Sequence, residues 1–60
     1  MIKLTVFNQS GEVRKTDKLN WLQSDLKTGT INEHINCMFS GFVVITEVYI
    51  GTDYVKVWTK

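Results

Sequence analysis

Three neighbouring residues, Glu33, His34 and Cys37, have side chains that could bind a metal ion or perform catalysis. His34 and Cys37 are three positions apart, a spacing that places two side chains next to each other on a helix. Zinc takes three or four protein ligands, but the chain has only one cysteine and one histidine. A Cys–His nucleophile would also need an orienting group and oxyanion donors, and the sequence supplies neither. We therefore predict no catalytic residue, no metal site and no enzymatic activity.

Signatures of cofactor binding are also missing from the sequence. The four glycines are isolated, so none of them belongs to a phosphate-binding loop. Seven basic and six acidic residues give a formal charge of +1. This balance is too even for a protein that depends mainly on phosphate backbones for its binding. The sequence therefore predicts a protein without a cofactor.

Residues 42–58 are the most informative segment, because they read as two apolar strands joined by a tight turn. A glycine followed by another residue, here Gly51-Thr52, is typical of a two-residue type II′ hairpin turn. Such a turn sets the register of the two strands. The predicted cross-strand pairs are Ile50 with Asp53, Tyr49 with Tyr54, Glu47 with Lys56, and Ile45 with Trp58.

Both faces of this predicted hairpin carry large apolar side chains. The face assigned to the core holds Phe42, Val44, Val48, Ile50, Val55 and Val57. The opposite face holds Val43, Ile45, Tyr49, Tyr54 and Trp58, with Glu47 and Lys56 between them. A domain of 60 residues has one core, so the second face is surplus. Because tyrosine and tryptophan are enriched where binding energy concentrates, this face predicts a docking surface for another protein.

The predicted partner-binding residues are Tyr49, Tyr54, Trp58, Ile45, Lys56 and Trp21. Trp21 is included as an outlying anchor, since it falls at the flank of a predicted helix. Three alternatives remain open for the aromatic face. It could serve only to stabilise the sheet. It could stack the bases of a single-stranded nucleic acid with help from nearby lysines. It could also be buried in the interface of an obligate homodimer.

The remaining elements follow from periodicity and turn signals. Alternation over residues 2–6 predicts a first strand, and residues 12–16 would return as a short edge strand after a turn at 8–11. Asp17 is a candidate N-cap for a helix that would carry Leu19, Leu22 and Leu26 and end at residues 28–29. A capping box at residues 30–33 predicts a second helix from 31 to about 39. The expected fold is α+β, a single domain over residues 1–60 with ββααββ order: an antiparallel sheet with two short helices packed on one face.

Composition suggests where such a protein works. The chain has no alanine and no proline, a bias typical of AT-rich genomes and common in bacteriophage and mobile-element proteins. A lone cysteine and no apparent leader or membrane-length apolar run favour the cytoplasm. The predicted function is that of a small non-enzymatic module that inhibits or modulates a host protein by binding it.

Overall fold

The computed structural model describes residues 1–60 as four strands, one α-helix and one 3₁₀ turn. The elements are β1 (Ile2–Phe7), β2 (Val13–Leu19), a 3₁₀ turn (Gln23–Asp25), α1 (Thr28–Met38), β3 (Ile45–Ile50) and β4 (Tyr54–Thr59). The strands form one sheet in the order β2-β1-β4-β3. The predicted ββααββ order with two helices is therefore wrong.

The sheet is mixed rather than wholly antiparallel. The β1–β2 and β3–β4 pairs are antiparallel hairpins, whereas β1 and β4 pair in parallel at the centre. The segment that contains α1 connects the two hairpins, leading from β2 to β3. β2 and β3 are the two edge strands of the sheet. The first and last strands thus become neighbours, a pairing between distant residues that local sequence patterns do not encode.

Strand β2 extends into the start of the segment for which the first helix was predicted, and the rest of that segment is a loop with one 3₁₀ turn. β2 pairs with all six residues of β1, so β2 continues as far as Leu19, which lies opposite Ile2. Asp17 is consequently a strand residue opposite Leu4, not an N-cap. Leu22, one of the three leucines that the predicted helix would carry, is 72% exposed. Pairing with a central strand outweighs the weak helical periodicity of this segment.

The loop between β1 and β2 forms where the turn signal placed it. The Asn8 side-chain oxygen accepts hydrogen bonds from the backbone N–H groups of Ser10 and Glu12, each at 2.9 Å. Gly11 has a φ of 84°, a conformation that glycine adopts without steric cost. A register shift between Val6 and Phe7 then marks a bulge at the start of β2.

Helix α1 begins three residues before the predicted second helix. Lys27 is its N-cap residue and makes no side-chain capping bond, so the predicted capping box is absent. Gly29 lies in the first turn of the helix instead of capping the end of an earlier one. The 3₁₀ turn before it is closed by the Asp25 carboxylate, which accepts a hydrogen bond from the Leu22 N–H at 3.0 Å.

The hydrophobic core lies between α1 and one face of the sheet. Its residues are Ile2, Leu4, Val6, Leu19, Leu26, Ile31, Ile35, Val55 and Val57. Trp21, Met38, Phe39, Val43, Ile45 and Val48 are partly buried and pack against it. With only one helix, all of this packing is on one side of the sheet. The helix is also too short and too polar to cross a membrane.

Arg14 closes the core at the end of the central strands. Its Nη1 donates a hydrogen bond of 2.7 Å to Oγ1 of the buried Thr59, which in turn donates to the Phe7 carbonyl at 3.1 Å. The guanidinium carbon also lies 4.4 Å from the centroid of the Phe39 ring, a cation–π geometry. Arg14 therefore has a structural role that ties β2 to β4 and to the end of α1.

Ser40 ends the helix in a strained conformation, with a φ of 56°. The Ser40 N–H donates to the Cys37 carbonyl at 3.2 Å, and the Gly41 N–H donates to the Asn36 carbonyl at 3.0 Å. These two bonds form a Schellman motif, in which the left-handed position is usually glycine. The helix ends close to residue 39, where the predicted second helix was expected to end, and the residue with positive φ is Ser40.

Ser40→Gly should therefore raise the free energy of unfolding by about 0.5–1 kcal/mol, because glycine relieves the left-handed strain at little cost. Thermal unfolding followed by circular dichroism measures the change. Ser24→Gly is the matched control, since Ser40 is the only non-glycine residue with positive φ. The control should be neutral or destabilising, and an equal loss in both variants would contradict this explanation.

Candidate functional site

The face of the sheet opposite α1 is not covered by any other element. We call it the open face, and the strand registers arrange its side chains in three rows that run across the sheet. The first row is Lys18, Lys3 and Tyr54; the second is Thr16, Thr5, Lys56 and Tyr49; the third is Val13, Phe7, Trp58 and Glu47. On the two central strands, the residues that alternate with these are buried beneath α1. Because successive side chains of a strand point to opposite faces, the side chains of the three rows point away from the core.

Phe7 and Trp58 form the first of two aromatic pairs on the open face. They are register partners on the parallel strands β1 and β4. Their ring centroids lie 5.0 Å apart with an angle of 19° between the ring planes. Phe7 was not among the predicted surface residues, because its place beside Trp58 depends on the parallel pairing of distant strands.

Tyr49 and Tyr54 form the second pair, with centroids 5.9 Å apart and an interplanar angle of 19°. They are diagonal neighbours, since Tyr49 lies opposite Lys56. The predicted register was therefore wrong by two residues. A shift of two keeps every side chain on its face, so both tyrosines still lie on the open face. Tyr49 is 53% exposed, and Tyr54 is half-buried.

The turn that joins β3 and β4 has Thr52 and Asp53 at its centre rather than Gly51 and Thr52. The Gly51 N–H donates to the Tyr54 carbonyl at 2.8 Å, and Gly51 has no positive φ. Its lack of a side chain has another use, because a Cβ at this position would overlap the Tyr54 ring. An aromatic ring that covers a strand glycine is a recognised means of stabilising a sheet.

Gly51→Ala should displace the Tyr54 ring and separate it from Tyr49, at a cost of about 1–3 kcal/mol in the free energy of unfolding. Nuclear Overhauser contacts between the two tyrosine rings report the displacement, and urea denaturation reports the stability. Gly41→Ala is the matched control, because a Cβ there would meet no atom within 4 Å. Intact ring contacts in Gly51→Ala would show that the glycine is not required for the pair.

Lys56 and Tyr54 add polar character to the aromatic pairs. The Lys56 Nζ lies 5.6 Å from the Tyr54 ring centroid, within the range of a cation–π contact. The neighbouring Tyr49 side chain raises the pKa of the Tyr54 hydroxyl above its ordinary value of 10.0. The Tyr54 hydroxyl can donate a hydrogen bond to a ligand.

Ile45 does not lie on the open face, contrary to the prediction. A register shift between Ile45 and Glu47 marks a bulge, and Thr46 within it donates from its hydroxyl to the Trp58 carbonyl at 3.2 Å. The extra residue places Ile45 opposite the buried Thr59, where it packs against the core. Bulges redirect side chains in this way because two residues face one on the partner strand.

The segment that precedes β3 also departs from the predicted strand. Residues 42–44 have no regular secondary structure, and the Val43 N–H donates to the Asn36 side chain at 2.6 Å. Val43 packs against the core, although it was assigned to the opposite face. Phe42, which was assigned to the core, is 87% exposed. A shallow groove of about 370 Å³ lies between this segment and the start of α1.

Trp21 is separate from the open face. It packs against the core, and its ring meets the His34 ring edge-on with centroids 5.2 Å apart. We therefore leave Trp21 and Ile45 out of the candidate surface. Tyr49, Tyr54, Trp58 and Lys56 are brought together there, and Phe7 joins them.

The residues that could perform chemistry are dispersed. The structure contains no group of three His, Cys, Asp or Glu side chains that could hold a metal ion. Cys37 is a free, exposed thiol. His34 lies under Trp21, with its Nε2 at 3.7 Å from an Asp17 carboxylate oxygen. None of these residues lies on the open face, which presents rings, hydroxyls and charged groups.

The open face has a charge of its own. It carries three lysines, Lys3, Lys18 and Lys56, against a single acid, Glu47, so it is more positive than the molecule as a whole. None of these lysines takes part in an ion pair, because the only one in the structure joins His34 and Asp17. Three positive charges are thus available to a ligand beside the aromatic pairs.

Comparisons with protein-family models, with curated proteins and with solved structures found no significant match to this chain.

Proposed function

We propose that this protein is a small non-enzymatic binding module that docks another protein on its open face. The observation that carries the proposal is the pair of aromatic stacks on a sheet face that no element of the chain covers. Rigid aromatic side chains provide large contact areas and lose little conformational entropy on binding. The helix holds the sheet in shape from behind, so the rings are ordered before a partner arrives.

Ring geometry favours a protein partner over a nucleic acid. Rings on adjacent strands whose planes differ by 19° and whose centroids are 5.0 Å apart must lie face to face with an offset. The two members of each pair therefore use one ring face on each other. Platforms that bind single strands instead leave ring faces free for bases to stack on. Exposed ring edges and hydroxyls are better suited to the side chains of a protein.

We further propose that the module acts by steric occlusion, covering a functional surface of a host protein in the cytoplasm. The composition supports this proposal, since the absence of alanine and proline is typical of phage and mobile-element proteins. The lone cysteine, which is exposed, fits a reducing compartment where it is not oxidised. A rigid face of this kind inhibits by occupying space, so no catalytic residue is needed.

Site-specific photo-crosslinking in the native cell tests this proposal. A benzophenone amino acid in place of Tyr49 should crosslink one protein strongly, whereas the same group at Asn32, exposed on α1 behind the sheet, should not. The captured protein, once purified, should bind the unlabelled module, and added salt should weaken this binding less steeply than it weakens binding to a phosphate backbone. Equal crosslinking from both positions would contradict the open face as the docking surface.

Single-stranded nucleic acid is the second candidate, because Lys3, Lys18 and Lys56 share the open face with the rings. Phosphate binding would weaken steeply with salt, with a slope of about −0.7 per phosphate neutralised. Titration of a thymidine oligonucleotide at several salt concentrations separates the two functions. A third outcome, self-association through the same face, would appear as a rise in mass with concentration in sedimentation experiments.

A further inference from the structure

Two lysines lie directly opposite each other on the open face. Lys3 in β1 and Lys18 in β2 are register partners in the antiparallel pair, so their side chains leave the sheet side by side. Like charges at opposite positions destabilise an antiparallel pair. Both side chains are exposed, and neither has an anionic partner within the molecule. The free protein therefore holds an unfavourable contact that an incoming negative charge would relieve.

The positive charges adjoin the aromatic pairs. Lys3 is also the register partner of Tyr54, and Lys56 in the next row lies over the Tyr54 ring. Acidic groups are remote from this corner or occupied elsewhere. Glu47 lies in the third row beside Trp58, and Asp17 leaves β2 on the opposite face, next to His34. Only Asp53, in the turn before Tyr54, is close enough to add negative charge.

From this charge pattern we infer that the docked protein segment is acidic, with carboxylates that reach Lys3 and Lys18 while its apolar side chains meet the aromatic pairs. The inference rests on the proposed function and names the chemistry of its partner. Complementary charges across an interface fix orientation and exclude wrong partners. A basic segment would meet three lysines at the open face.

Selection from a random-peptide display library on the immobilised protein tests the inference without knowledge of the partner. The enriched peptides should combine aspartate or glutamate with aromatic or aliphatic residues. The double variant Lys3→Glu/Lys18→Glu should bind these peptides at least about tenfold more weakly and should select basic peptides instead. Lys15→Glu is the matched control, because Lys15 lies in β2 opposite Val6, with its side chain on the helix side. It should select the same acidic peptides as the unchanged protein.

A single variant adds a second readout. Lys18→Glu converts the like-charged pair with Lys3 into an opposite-charged pair, so it should raise the melting temperature while it weakens binding of the acidic peptides. If the charge of Lys18 serves to bind a ligand rather than to stabilise the fold, the variant should be more stable and should bind more weakly. Peptide binding that survives Lys18→Glu unchanged would overturn the inference, and the higher melting temperature would confirm that this result does not come from unfolding.

The remaining outcomes separate the inference from the proposed function. Neutral or basic peptides whose binding is lost in Tyr49→Ala would overturn the acidic partner but keep the open face as a docking surface. Peptides that bind equally well to Tyr49→Ala and to the unchanged protein would overturn both. Binding of a thymidine oligonucleotide to the open face, with no enrichment of acidic peptides, would assign the lysines to phosphates and would also overturn the inference.

Discussion

Replacing Ile35 with alanine should lower the free energy of unfolding by about 2–5 kcal/mol, which for a domain of this size removes most of its stability. Ile35 is 0% exposed, and it lies on the only helix that packs on the sheet. Truncation leaves a cavity that a small core cannot fill by rearrangement. Urea denaturation followed by circular dichroism gives the value.

Cys37→Ala is the matched control for that experiment. Cys37 lies two residues further along the same helix but is exposed, so its truncation should change stability by no more than about 0.5 kcal/mol. Similar losses in the two variants would mean that the helix does not present Ile35 to the sheet. In that case the assignment of core face and open face would be wrong.

The second large effect is expected in binding rather than in stability. Tyr49→Ala should weaken binding of the crosslinked partner by about 2 kcal/mol or more, roughly a thirtyfold rise in Kd. Tyr49 is half-exposed and stacks only on Tyr54, so the free energy of unfolding should fall by about 1 kcal/mol or less. Isothermal titration calorimetry and urea denaturation on the same sample provide the two numbers.

Phe42→Ala controls for the general loss of an exposed aromatic ring. Phe42 lies beside the groove next to the start of α1, on the helix side of the sheet. Its truncation should leave partner binding unchanged. If only Phe42→Ala lost affinity, the docking surface would lie at that groove. If Tyr49→Ala unfolded, the Tyr49 ring would be needed for the fold.

The features of the fold that could be read from sequence are those set by local alternation. Strand β4 alternates buried Val55 and Val57 with Lys56 and Trp58 on the other face, as its sequence predicts. The assignment of Tyr49 and Tyr54 to one face survived an error in the register, since a shift of two residues preserves the face. Turn chemistry was reliable at Gly11, where positive φ is required.

Non-local pairing accounts for what the sequence could not reveal. Residues 17–26 carry leucines at helical spacing, but Leu19 is needed opposite Ile2 in the hairpin, and Leu22 points to solvent. The parallel contact between β1 and β4 joins the two ends of the chain, so Phe7 could not be placed beside Trp58 from local patterns. The bulge that turns Ile45 toward the core likewise depends on the geometry of the edge strand.

Paramagnetic relaxation with a soluble gadolinium chelate measures most directly whether the aromatic rings of the open face are exposed to solvent. We expect strong enhancement at the Tyr49 ring protons and measurable enhancement at the Trp58 indole, with almost none at the Ile31 and Ile35 methyl groups. These values should not change between low and high protein concentration. Protection of the Tyr49 and Trp58 rings comparable to that of the isoleucine methyls would show that the face is covered, and it would contradict docking of a partner there.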